Sequence, residues 1–358
     1  MYDFLIVGAG LYGCVFAERA KAANKKVLVL EQRNHIGGNC YTEERSGINV
    51  HIYGPHIFHT NDISIWKYIN RFADFNNYIN RVKVNYKNKI YSFPINLLTL
   101  HQLWGVNTPQ EAKDKLTSKI SKITDPKNME EWCLANVGEE IYNIFFKGYT
   151  KKHWKCSPTD LPASTIRRLP IRFNYDDNYY NDQYQGVPIG GYTQIFEKML
   201  DGIEVKLNTS IEKDWYKYAK TLVYSGKPDQ LLDYKYGELS YLTLDFKHQL
   251  LTGDYQGNAV VNYTDEDIPF TRCIEHKHFE FNNRQNTIIT HEYPINWHKQ
   301  ATPYYPMPNQ MELYQLYKND ILQNGNIILG GRLGLHKYLD MHQVIANALK
   351  TAKKTFNQ

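Results

Sequence analysis

The sequence predicts an α/β protein, and three features at its start carry that prediction. Residues 2–8 are an apolar run ending in glycine, residues 11–24 are Ala-rich with helical spacing, and residues 26–30 (Lys-Val-Leu-Val-Leu) are a second apolar run. Short runs without polar alternation suit parallel strands buried on both faces. Strand, helix and strand within about thirty residues make one βαβ unit.

The pattern then changes. From 80 to 94 apolar residues alternate (Val82, Val84, Tyr86, then Ile90 and Tyr91) around Lys87-Asn88-Lys89. That predicts an antiparallel hairpin, with Asn88 as the residue best able to take a left-handed conformation. Residues 95–152 read as helical. Thr108-Pro109-Gln110-Glu111 is a helix start, with Thr as N-cap and Pro at the first helical position, and a second helix is expected over 129–148. The lysines between 113 and 127 read as a solvated helix face. A polar, tyrosine-rich stretch at 174–186 precedes Pro188-Ile189-Gly190-Gly191-Tyr192, a turn into another helix. Strands are expected at 239–247, 257–263 and 285–291. Ile327-Ile328-Leu329-Gly330-Gly331 is a last apolar strand stopping at glycines, followed by a helix through 341–354. With no internal repeat and no flexible linker, the domains are expected to interleave.

Composition narrows the function. The 358 residues suffice for two or three domains, and 42% apolar with 22% charged residues is an ordinary globular balance. The 29 tyrosines suit sites that stack on rings and hydrogen-bond phosphates or sugars, although codon bias toward Tyr, Asn, Lys and Ile explains them equally well. The net charge of +5 is not clustered, which favours a small anionic ligand over nucleic acid. Five scattered cysteines without a CxxC read as free thiols in a reducing compartment. No charged and apolar leader and no run of 18 apolar residues is present, so a cytoplasmic protein without membrane partners is expected.

Gly8, Gly10 and Gly13 form GxGxxG directly between strand and helix. The first permits the tight turn, the second lets backbone approach a pyrophosphate, and the third allows close helix–strand packing, while the helix N-terminus offers free N–H groups. Glu31, ending the second strand, is placed to accept from a ribose hydroxyl. The pattern therefore predicts a dinucleotide site. Gly37-Gly38-Asn39 follows soon after Glu31, an extension that resembles the large FAD-binding group containing the amine oxidases, and Gly330-Gly331-Arg332 resembles that group's second flavin contact.

Further segments resemble the bacterial UDP-galactopyranose mutase family: Tyr53-Gly54-Pro55-His56-Ile57-Phe58-His59-Thr60, His101-Gln102-Leu103-Trp104-Gly105, and Lys147-Gly148-Tyr149-Thr150-Lys151-Lys152-His153-Trp154. Arg168-Leu169-Pro170-Ile171-Arg172, Tyr184-Gln185-Gly186, Arg272-Cys273-Ile274-Glu275-His276-Lys277-His278-Phe279 and Tyr338-Leu339-Asp340-Met341-His342-Gln343 continue it in order along nearly the whole chain. The resemblance implies a Rossmann-like FAD-binding domain (1–79 with 187–232 and 322–358), a small helical bundle (95–165) and a twisted antiparallel β-sheet (80–94 with 166–186 and 233–321). It implies interconversion of UDP-galactopyranose and UDP-galactofuranose for cell-surface polysaccharide synthesis. The implied chemistry is attack of the N5 of reduced FAD on the anomeric carbon, without net redox change, after activation by NAD(P)H or another reductant. A homodimer is the default assembly.

Residue by residue, the resemblance gives Arg172 and Arg272 to the diphosphate, consistent with the forked geometry of guanidinium groups. Tyr179, Tyr305 and Tyr338 share those phosphates. Tyr149 and Phe145 stack on the base with Asn262 nearby, and Asn80 and Trp154 touch the sugar. His56 and His59 stand beside the isoalloxazine. Gly8, Gly10, Gly13, Glu31, Gly38, Asn39, His56, Arg332, Tyr338, Asp340 and Met341 hold the cofactor, and no metal is implied. Arg172 lies just before the polar 174–186 stretch, which suggests a lid.

Two departures stand out. Leu242, within Tyr241-Leu242-Thr243, replaces an arginine found in many bacterial members, and Cys273 replaces a branched aliphatic residue. They leave open a different nucleotide sugar, such as UDP-GalNAc, a dTDP-deoxysugar or a GDP-heptose. A flavin amine oxidase would share the N-terminal evidence but has no use for paired arginines and a tyrosine cluster, and a non-catalytic nucleotide-binding protein would need neither flavin reduction nor a lid.

Overall fold

The computed structural model describes residues 1–166, 170–281, 283–323 and 325–356. Arg168 and Leu169, named above, lie outside the described residues. The chain divides into two compact units: Met1–Asn77 with Asp182–Thr243 and Trp297–Gln358, and Tyr78–Asn181 with Leu244–Asn296.

The first unit is built on a five-stranded parallel sheet in the order Ile327–Leu329, Ala219–Tyr224, Tyr2–Val7, Val27–Leu30 and Glu204–Lys206. Ile6, Val29, Leu222 and Val223 are fully buried, as central parallel strands require. Helices Leu11–Ala22 and Met341–Phe356 pack together on one face, where the rings of Phe4, Phe16 and Phe356 meet with centroids 5.5 Å apart. The other face carries Leu5, Leu28, Leu30, Leu222 and Tyr224 against Trp215 and Leu231. Val7 stands level with Leu30 on one side and Tyr224 on the other. Three strands thus end together, and Gly8, Glu31 and Ser225 follow them at one edge of the sheet.

Segments 233–243 and 297–321, expected with the antiparallel sheet, fall within the first unit. The reason is packing: Leu239 and Tyr241 share a buried cluster with Tyr314, Tyr317 and Ile321 of helix Met311–Gln323.

The second unit holds a sheet of strands in the order 244–252, Asn286–Ile295, Arg272–Glu275, Val260–Tyr263, Lys83–Tyr86 and Lys89–Ser92. Neighbours are antiparallel across Arg272–Glu275 and across the 83–92 hairpin, while Val260–Tyr263 runs parallel to Lys83–Tyr86. At the hairpin both Lys87 (φ 50°) and Asn88 (φ 61°) are left-handed, the pairing that two-residue loops favour. Strand Arg272–Glu275 was not foreseen. Three of its four residues are buried, so it shows no alternation.

Helix Pro109–Lys119 begins as expected, with Thr108 and Glu111 in a reciprocal capping box. The single helix expected over 129–148 is instead broken. Met129–Asn136 ends before Gly138, whose φ is 80° and where a Cβ would crowd the Lys119 carbonyl oxygen at 2.7 Å. A wider turn at Tyr142–Lys147 then leads into helix Gly148–Trp154.

Candidate functional site

In the first unit the glycine motif forms a backbone cradle. Gly8 takes φ +101°, and a Cβ on Gly13 would collide with the Gly8 carbonyl oxygen. Cα of Gly10 lies 3.0 Å from where a Cβ of Gly38 would be, so the two glycine loops touch through backbone. Glu31 is buried and accepts from the backbone N–H of Ala9 (2.8 Å) and of Arg33 (2.9 Å), which closes the turn. Gly8, Gly10, Glu31, Gly38, Asn39, His56, Arg332 and Met341 line one cavity of about 1280 Å³, ample for a dinucleotide. Gly13 acts beneath that wall through its contact with Gly8.

Arg33 also lines the cavity, a residue that sequence reasoning passed over. It donates to Oδ1 of Asn39 (2.9 Å), lies over the Tyr53 ring at 4.5 Å, and keeps a buried Nη1 without a partner among the described residues. Its only signal was its place two residues after Glu31. Arg332 donates to the Leu339 carbonyl oxygen and lies over the Tyr338 ring at 4.9 Å. Tyr305 meets Tyr338 edge-on at 5.3 Å. The main-chain N–H of Asp340 donates to Gln343 at the start of the last helix.

His56 contacts the Gly54 carbonyl oxygen through Nδ1 (2.8 Å), and its backbone N–H donates to His51. Burial first, and His56 second, push His51 down to about 3, so its ring stays neutral near pH 7. His59 pairs through Nδ1 with the carboxylate of Asp182 (2.8 Å), and its ring lies edge-on to His342 at 5.0 Å. Asp182 was not foreseen, because 123 residues separate it from His59.

In the second unit, Arg272 donates from Nη2 to the hydroxyl of Tyr149 (2.7 Å), and its Nε stands 3.5 Å from buried Glu292. Burial works against the arginine's charge, but Glu292 and Tyr149 outweigh it and hold the guanidinium firmly protonated. Burial raises Glu292, while Arg272 and Thr271 pull it back toward the ionised form. Tyr149 stacks on His153 at 5.5 Å. Burial and then Arg272 depress that ring to about 3, so the arginine faces a neutral imidazole. Asn262 stands opposite Arg272 across the sheet, with a buried Oδ1 that has no partner among the described residues. Glu292 escaped sequence reading because only strand register sets it against Arg272.

Arg172 is turned onto its own loop. It donates to the carbonyl oxygens of Asp176 (3.2 Å) and Asn178 (2.6 Å) and to the side chain of Asn181. Tyr179 donates its backbone N–H to Asn80, whose side chain receives the Tyr78 hydroxyl. Phe145 is buried against Tyr91 and Phe93, so its ring is core, and Trp154 packs edge-on to His153. The structure therefore joins Arg272, Tyr149 and Asn262, joins Asn80 with Tyr179, and gives Arg172 to residues 176–181.

No described helix is long and apolar enough to cross a membrane. All five cysteines are free thiols.

Comparison with known proteins gives a family from the sequence and a likeness of fold from solved structures. A family model described as UDP-galactopyranose mutase matches residues 144–338, and one for an NAD(P)-binding Rossmann-like domain matches residues 6–72. The chain is 41% identical to a probable UDP-galactopyranose mutase of Klebsiella pneumoniae, covering 98% of this chain and 94% of that protein. It is 40% identical to the dTDP-fucopyranose mutase of Escherichia coli, covering 99% and 98%. A crystal structure of reduced UDP-galactopyranose mutase superposes with a TM-score of 0.78 at 14% identity over 100% of this chain and 96% of that one, a likeness of fold. A structure of a putative protoporphyrinogen oxidase follows, with a TM-score of 0.66 at 12% identity over 99% of each chain. The chain belongs to the UDP-galactopyranose mutase family.

Proposed function

We propose that this chain is a flavin-dependent mutase interconverting UDP-galactopyranose and UDP-galactofuranose, with FAD held in the first unit and the diphosphate recognised by Arg272 in the second. The observation that carries the reading is the Arg272 cluster. Its guanidinium is fixed by Glu292 and Tyr149, with an amide oxygen of Asn262 that has no partner among the described residues across the strand pair. Such a preset cation suits a phosphate oxygen, and a buried amide suits a base edge.

The first unit fits FAD on three counts: the glycine cradle that a Cβ would fill, the size of the cavity, and the buried Glu31 at its wall. Gly8, Gly10, Gly38 and the N-terminus of helix Leu11–Ala22 would take the pyrophosphate and Glu31 a ribose. Asn39, Met341, Asp340 and Arg332 with its Tyr338 neighbour would serve the rest. Once bound and reduced, FAD would supply the nucleophile for the anomeric carbon, with no net redox change.

The chain's own residues do the remaining work. Arg272 steadies the departing diphosphate, and Arg172 can exchange its loop carbonyl partners for phosphate oxygens. Tyr179, Tyr305 and Tyr338 add hydroxyls, Tyr149 and the Asn262 amide serve the base, and Asn80 and Trp154 orient the sugar. His56 and His59 flank the flavin, and Asp182 keeps the His59 ring oriented. NAD(P)H or another two-electron donor activates the enzyme, and a cytoplasmic homodimer is the working form.

A second reading keeps the chemistry and changes the sugar to a dTDP-deoxysugar. The near-equal identity to the E. coli dTDP-fucopyranose mutase supports it, as does buried Leu242 opposite Tyr305, where an aliphatic side chain offers no charge. One assay separates the readings. The purified protein should be yellow and, after dithionite or NAD(P)H, should convert UDP-galactofuranose to the pyranose form faster than it converts dTDP- or GDP-sugars. A colourless chain that cannot be reconstituted with flavin would sink both readings.

A further inference from the structure

Lys152 stands out among the charged groups that the proposed chemistry does not use. It lies on helix Gly148–Trp154 and is only 9% exposed. Its ammonium donates to three main-chain oxygens: Tyr263 (2.7 Å), Asp265 (2.7 Å) and Phe270 (3.0 Å). An ammonium has three N–H donors, so this one is fully satisfied by both ends of a single loop. A buried cation is costly to leave unpaired, so a lysine spent on carbonyl oxygens marks a loop whose shape matters.

That loop leads straight into Arg272. Tyr263 ends one strand, Phe270 comes two residues before the arginine, and the Tyr263 N–H donates to Thr271. The same helix reaches Arg272 directly, since Tyr149 accepts from its Nη2 one helical turn before Lys152. Gly148 lets the helix come this close, because a Cβ there would collide with the Thr264 carbonyl oxygen. Lys151 adds a more exposed ion pair to Glu266 at 3.1 Å. Helix and loop are thus laced together at Gly148, Lys151 and Lys152, and Arg272 emerges from the laced region.

We infer that Lys152 is a positioning residue for diphosphate recognition, fixing the 263–270 loop so that Arg272 presents its guanidinium in one direction. This rests on the reading of Arg272 as the diphosphate residue. Lys152 touches no substrate. It acts by removing alternative loop conformations that would swing the arginine away from the phosphate.

The test is a double-mutant cycle on the FAD-loaded protein, with UDP as the probe and affinity read by titration calorimetry. Lys152→Met should weaken UDP binding by about tenfold and raise KM for the nucleotide sugar more than it lowers kcat, with flavin content unchanged. In an Arg272→Ala background the same substitution should have almost no further effect on UDP affinity, because there is no guanidinium left to aim. Lys152→Arg keeps the charge but cannot converge on three carbonyl oxygens, and it should give a smaller loss of the same kind. It replaces Lys152→Met in the cycle if that variant does not fold. Equal losses of affinity in both backgrounds would mean a merely structural lysine and overturn the inference, as would unchanged UDP affinity in the single variant. If Arg272→Ala itself leaves UDP binding intact, the reading of Arg272 fails first.

Discussion

The hydroxyl of Tyr149 receives a hydrogen bond from Nη2 of Arg272 at 2.7 Å, while the arginine's Nε faces the buried carboxylate of Glu292. The guanidinium is therefore anchored at two edges by side chains 123 and 20 residues away in sequence. Tyr149→Phe should remove one anchor without opening a cavity. A hydrogen bond to a charged group contributes about 1.5–3 kcal/mol, so UDP affinity should fall by roughly tenfold or more. Flavin absorbance should not change. Wild-type affinity in this variant would show that the hydroxyl does not orient the arginine.

Arg272→Ala should be more severe. It removes the proposed phosphate contact and leaves Glu292, only 2% exposed, without its counter-charge. Loss of most mutase activity with FAD retained is expected, together with a lower Tm, and adding Glu292→Gln should restore Tm but not activity. Arg172→Ala should also cost about ten- to a hundredfold in activity, since it frees the 176–181 loop as well as removing a cation. Unchanged kinetics in either arginine variant would reject its assigned role.

Gly13→Ala tests the dinucleotide cradle. Its Cβ would collide with the backbone oxygen of Gly8, and backbone cannot move aside cheaply. Destabilisation beyond the usual ~1 kcal/mol of a point substitution and loss of bound flavin should appear together. A yellow, fully stable Gly13→Ala protein would contradict the cradle geometry.

Glu275 gives a pH signature. Burial pushes its carboxyl up, but His278 and the backbone N–H groups of Tyr255 and Gln256 outweigh that and hold it at about 2, below the ordinary 4.5. A carboxylate held low contributes stability that is fully present above its unfolded value and is lost as pH falls through the folded one. The stability gap between wild type and Glu275→Gln should therefore be widest above about pH 5, reach roughly 3 kcal/mol at most, and shrink toward pH 2. Denaturant melts across that range would show it. A gap that does not vary with pH would mean that Glu275 acts by shape alone.

Legibility in the sequence followed the range of the interactions. Three of the five parallel strands (those at 2–7, 27–30 and 327–329), the hairpin at 83–92 and the Thr108 N-cap were readable, because each depends on neighbours a few residues apart, whereas strands Glu204–Lys206 and Ala219–Tyr224 were not foreseen. The break at Gly138 was not. It depends on a left-handed glycine meeting the Lys119 carbonyl oxygen. Strand Arg272–Glu275 was missed because burial on both faces erases the alternation that marks a strand. Family resemblance named roles for Arg272 and Tyr149, yet Glu292 carried no local signal and Lys152, inside a resembling segment, was given no role. Phe145, which the resemblance matches to base stacking, is buried beside Tyr91 and Phe93, neighbours that no local pattern names.

By itself the sequence determined a βαβ opening, a glycine motif with its acid at the end of the second strand, and a chain-long likeness to one family. These are matters of local period and short spacing, which covalent order sets directly. Tertiary structure alone decided which carboxylate meets Arg272, which carbonyl oxygens receive Lys152, and that His59 leans on Asp182. Those pairings join residues 20 to 123 positions apart. They exist because strand register and helix packing bring buried charges within reach of partners, and a charge removed from water must find one.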